Sequence, residues 1–70
     1  MPDTEEELKR SSRAKLLEIE GIKCAESEDY ERALSLFTEA INIAPHRPSG
    51  YNNRAQSHRL LGNIEGNFKN

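Results

Sequence analysis

Between Tyr30 and Ala44, apolar residues recur at a spacing that a helix gathers onto one face. Tyr30, Ala33, Leu34, Phe37, Ala40, Ile41 and Ala44 follow the i, i+3, i+4, i+7 rule of an amphipathic helix. Leu36 and Ile43 lie off that stripe and form a second, narrower apolar line. A helix with two apolar lines is suited to packing against two neighbours. Its limits are marked: Ser27-Glu28-Asp29 offers caps before it. Pro45 and Pro48 end it, because proline supplies no N–H and disfavours helical geometry in the preceding residue.

The flanks are helical too. Residues 1–4 read as a short disordered lead in which Thr4, followed three residues later by Glu7, fits a capping box. A first helix is predicted from about Glu5 to about Glu26, with residues 5–13 a polar, solvated extension and the apolar content thickening from Ala14. Leu17, Gly21 and Cys24 share one face, and a glycine inside a helix costs about 1 kcal/mol relative to alanine. Its usual justification is the close approach of another backbone. A third helix is predicted from about Gly50 to Leu61, with Gly62 as its stop and Asn63 capping a short fourth segment, Ile64 to Lys69.

Composition narrows the function. The 70 residues carry a formal net charge of −2 and 6% aromatics, which argues against nucleic acid or a membrane surface as the main partner. No apolar run reaches the roughly 18 residues of a membrane span. Cys24 is the single cysteine and makes no internal disulfide, and the start of the chain is acidic where a leader would be basic, so a cytoplasmic protein is expected. No catalytic or zinc-binding pattern is visible. His46 and His58 fall on different elements, His58 and Cys24 occupy matching packing positions, and no histidine lies near Cys24 to activate it. The expectation is a non-enzyme without cofactor or metal.

A shift of about 34 residues superposes positions of like character. Leu17 falls on Tyr51, Gly21 on Ala55, Glu28 on Gly62, Asp29 on Asn63, Tyr30 on Ile64 and Leu34 on Phe68. With Ala33, Phe37, Ala40 and Pro45 in their places, the chain resembles the tetratricopeptide repeat family, whose unit is a helix–turn–helix hairpin. The resemblance covers about residues 14–70. It implies an all-α fold of antiparallel hairpins, an α-solenoid fragment with about three full helices plus a short incomplete fourth. Residues 14–47 would be one repeat and 48–70 an incomplete second.

The resemblance also implies a protein–protein interaction module, adaptor or co-chaperone-like, with a link to tyrosine metabolism. The first helix of each hairpin would line a concave groove. Lys15, Glu18, Ile19 and Ile22 would face it from the first hairpin, and Asn52, Asn53, Gln56 and Arg59 from the second. Of these, Glu18, Ile22, Asn52, Asn53, Gln56 and Arg59 are the candidate partner-binding residues. Asn53 stands where chaperone-binding members hold a ligand's terminal carboxylate, whereas Glu18 and Ile22 replace the lysine and asparagine of that clamp. His46, Arg47, Arg54, His58 and Arg59 form a basic cluster that could instead meet an acidic peptide or RNA. The alternative function is a helical self-association element, or a truncated isoform pairing with a longer relative. Tyr51, Leu60, Leu61, Ile64 and Phe68 would lack a completed fourth helix to lean on, so marginal stability and homo-oligomerisation are expected.

Overall fold

The computed structural model describes residues 4–66, which form three helices and no strand: α1 (Glu5–Glu26), α2 (Tyr30–Ile43) and α3 (Pro48–Gly66). The expected lead is outside the described residues except for Thr4, which is ordered as the cap of α1. Its hydroxyl accepts from the Glu7 backbone N–H at 3.1 Å, and the Glu7 carboxylate accepts from the Thr4 backbone N–H at 3.3 Å. Glu5, Glu6 and Glu7 place negative charge in the first turn, where the helix dipole favours it.

Two backbone bonds close α1. The Glu28 N–H reaches the Ala25 carbonyl at 2.9 Å and the Asp29 N–H reaches the Cys24 carbonyl at 2.8 Å, the paired pattern of a Schellman cap. That cap needs a left-handed residue, and Glu28 supplies it at φ 65°. A side chain in this region costs on the order of 1 kcal/mol that glycine avoids. Glu28→Gly is therefore expected to raise the thermal midpoint by roughly 4–8 °C, read by circular dichroism. A lowered midpoint would mean that the Glu28 side chain contributes something this geometry does not show. Asp29 then opens α2, its carboxylate accepting from the Arg32 backbone N–H at 3.4 Å.

Of the predicted apolar stripe α2 buries Tyr30, Ala33, Phe37, Ala40, Ile41 and, just past its end, Ala44, while Leu34 is half-buried. Helices α1 and α2 run antiparallel. Ala14 packs into Ala40 and Ala44, with Leu17 and Ile43 against them, and one side-chain layer further on Gly21 meets Phe37. A Cβ on Gly21 would stand 2.5 Å from Phe37 Cε1, so the ring occupies the space that any side chain at position 21 would need. Helix α3 starts on proline, whose missing N–H is no loss at a first helical position. It packs antiparallel to α2 through Gly50, where a Cβ would lie 2.9 Å from Ile41 Cγ1. Leu36 and Ile43, the second apolar line, are half-buried.

Several expectations fail around α3. Gly62 does not stop it, and the separate fourth segment from Ile64 does not form: the helix continues through Gly66. Residues 67–70, including Phe68 and Lys69, lie outside the described residues. A glycine ends a helix by taking a left-handed conformation, which Gly62 does not do. Continuing the helix keeps the backbone hydrogen bonds of α3 unbroken through Gly62. The space at Gly62 is open, so Gly62→Ala is expected to stabilise the chain by about 1 kcal/mol. In urea denaturation, a loss of stability would restore the helix stop.

Ala55 and His58 are exposed, unlike buried Gly21 and half-buried Cys24, their partners at the repeat offset. Among the described residues, no helix covers the face of α3 that corresponds to the α2-covered face of α1. The repeat character of the sequence is thus realised in three dimensions for one hairpin and one further helix.

Candidate functional site

Two features lie where α1 and α3 run side by side. The first is a buried polar latch. Arg47, in the α2–α3 turn, grips Glu18 of α1 with two hydrogen bonds, Nε to Oε2 at 3.2 Å and Nη2 to Oε1 at 3.0 Å. Ser49 Oγ donates to the same Oε1 at 2.8 Å and accepts from Arg47 Nη2 at 3.2 Å. Glu18 is only 5% exposed. Burial alone would raise its carboxyl pKa, but the hydrogen bonds from Arg47 and Ser49, with the Arg47 and Lys15 charges, outweigh burial and hold it below the usual range. The Glu18 hydrogen bond in turn raises the Arg47 pKa.

Glu18 is therefore not a groove residue. Its helical position puts it on the α3 side of α1, and the guanidinium takes the carboxylate that was expected to meet a partner. Nothing local signals this pair, because its members are brought together only by the turn after α2.

The second feature is a shallow groove of about 330 Å³ further along the same seam. Phe37 forms its floor. Ile22, Ala25 and Glu26 line it from α1, and Asn53, Gln56, Ser57 and Leu60 from α3. Ser57 is buried and Leu60 half-buried, while Gln56, Glu26 and Ile22 reach solvent. Three of the expected residues, Ile22, Asn53 and Gln56, converge here. Asn52 and Arg59 are exposed on α3 and do not line it. Ala25, Glu26, Ser57 and Leu60 were not singled out, although Ala25 and Glu26 lie one turn beyond Ile22, and Ser57 and Leu60 one and two turns beyond Asn53.

The basic cluster disperses. His46 shares a 3.3 Å hydrogen bond with Ser11, and Arg47 belongs to the latch. Arg54 lies 5.9 Å over the Tyr51 ring and donates to Thr38 Oγ1 at 3.3 Å. His58 sits against α2 beside Leu34, Ser35 and Thr38, away from the groove. The five side chains come from a turn and several sides of α3, so they do not form a single positive surface. Among the described residues, no group of three His, Cys, Asp or Glu side chains could hold a metal ion, and no helix is long and apolar enough to cross a membrane.

No protein-family model and no solved structure matches the chain. Curated proteins do. Tetratricopeptide repeat protein 36 of Xenopus tropicalis is 54% identical over 50 residues, 71% of this chain and 25% of the relative. The human protein of that name is 47% identical over 53 residues, 76% of this chain and 28% of the relative. The chain is homologous to tetratricopeptide repeat protein 36. A homolog of it from Nematostella vectensis is 56% identical over 50 residues, 71% of this chain and 28% of that protein. The chain thus spans about a quarter of the length of these curated relatives. The relatives' name, a tetratricopeptide repeat protein, agrees with the helical hairpin of α1 and α2.

Proposed function

We propose that the chain is a protein-interaction module that binds a peptide segment of a partner in the groove between α1 and α3. The observation that carries this reading is the convergence of Ile22 from α1 with Asn53 and Gln56 from α3 over the Phe37 floor. Apolar walls with two neighbouring amides suit a peptide: the walls take a side chain, and each amide can both donate to and accept from a backbone. Residues 14–47 act in this reading as one repeat and 48–70 as part of the next. An adaptor or co-chaperone-like role in the cytoplasm, linked to tyrosine metabolism, is its finer form and is supported by the family resemblance.

Peptides selected on the folded chain from a display library would test the groove. Asn53→Ala and Gln56→Ala are expected to weaken their binding, by roughly tenfold for the more buried Asn53, while Asn52→Ala and Arg59→Ala leave it unchanged. Equal affinities across all four variants would remove the groove from consideration.

A second reading, self-association, is favoured by the uncovered face of α3, where Tyr51 is 41% exposed and Ala55 and His58, at helical spacing from it, are exposed too. A mass that rises with concentration in sedimentation equilibrium, and falls back in Ala55→Arg, would support it. A monomer at every concentration would end it.

A further inference from the structure

The distribution of charge around the groove says more about its occupant than its shape does. Of the basic side chains on α3 and the turn before it, Arg47 is held by Glu18, Arg54 by Tyr51 and Thr38, His58 lies on the α2 side, and exposed Arg59 is not among the groove's lining residues. Among the groove's lining residues the only charged one is Glu26, an exposed carboxylate that makes no ion pair among the described residues. It also sits on the last turn of α1, where the helix dipole adds negative potential. Lys23 shares that turn and makes no ion pair with it. The groove is therefore apolar at its floor, neutral and amide-bearing along α3, and negative at one end.

We infer that the groove takes a partner segment presenting an apolar side chain next to a lysine or arginine, and that it discriminates against acidic chain ends. The apolar side chain lies on Phe37 between Ile22 and Leu60, the segment's backbone bonds with Asn53 and Gln56, and its cation meets Glu26. An acidic terminus would find no cation among the residues lining the groove and would be repelled by Glu26. This inference rests on the groove being the binding site, and the test separates the two.

Three labelled peptides are titrated into the intact chain by fluorescence anisotropy at low ionic strength: one with a central leucine followed by two lysines, the same with two glutamates, and one ending in an acidic carboxy-terminal run. The lysine peptide is expected to bind the parent about threefold or more tighter than either acidic peptide. Glu26→Lys should abolish or reverse that order. This variant leaves the fold intact, because position 26 is exposed and a cation suits a helix C-terminus. Acidic peptides binding the parent as well as the lysine peptide, or an order unchanged in Glu26→Lys, would overturn the inference. If such charge-blind binding still weakens in Asn53→Ala, the groove survives as the site and only its preference is wrong. Absence of binding by all three peptides would overturn the inference and the site together.

Discussion

Phe37→Ala is expected to lower the unfolding free energy by about 3–5 kcal/mol, which approaches the whole stability of a domain this small. Among the described residues, Phe37 is the one large side chain that is almost entirely removed from water, at 1% exposure. It packs on the bare backbone of Gly21, so its loss leaves a cavity that two Cα-close helices cannot collapse into without rebuilding the Ala14–Ala40 contact. Gly21→Ala probes the same contact from the other side. An exposed helix glycine would gain about 1 kcal/mol from that change. Here the added methyl would press into the ring, and a net loss of about 1–3 kcal/mol is expected. Urea denaturation followed at a helix-sensitive wavelength measures both. A Phe37→Ala variant within 1 kcal/mol of the parent, or a stabilised Gly21→Ala, would show that the hairpin is held together elsewhere.

The latch supplies the second large effect. Glu18→Ala strands the Arg47 guanidinium against α1 with only water to replace two charged hydrogen bonds and one from Ser49. Because Arg47 keeps some contact with solvent, the loss at neutral pH is expected to be about 2–3 kcal/mol rather than the full value of a sealed pair. The effect depends on pH in a defined direction. The Glu18 pKa is depressed in the folded chain, so its stabilisation is complete above the ordinary value of 4.5 and is lost as pH falls through the lower folded value. The stability gap between parent and Glu18→Gln should therefore be open at neutral pH and close in strong acid. A gap that stays constant on acidification would mean that the carboxylate is not charged in the fold. Arg47→Met should respond to acid in the same way as Glu18→Gln, because it removes the other half of the pair.

Much of the architecture is legible along the chain because it rests on local rules. The Thr4–Glu7 box and the Tyr30–Ala44 stripe involve residues within one or two turns of each other, and they appear where spacing alone puts them. Gly21 was expected to admit another backbone; what it admits is the Phe37 ring of the neighbouring helix. Ile22, Asn53 and Gln56 could be expected to lie near one another from their positions on α1 and α3, and they do line one groove. Glu18 was misassigned because neither Arg47 nor Ser49 is near it in the chain. Gly62 misled because glycine permits a left-handed helix end without requiring one.

The sequence by itself determined three helices, their order, the apolar face of the central one and the small residues that let it approach its neighbour. These follow from periodicity, capping chemistry and proline geometry, which act over a few residues. The tertiary structure alone decided which polar groups are consumed within the fold and which remain for a partner. A charge such as Glu18 or Arg47 pairs with whatever the packed helices bring within about 3 Å, and that choice is made across the seam between elements rather than along the chain.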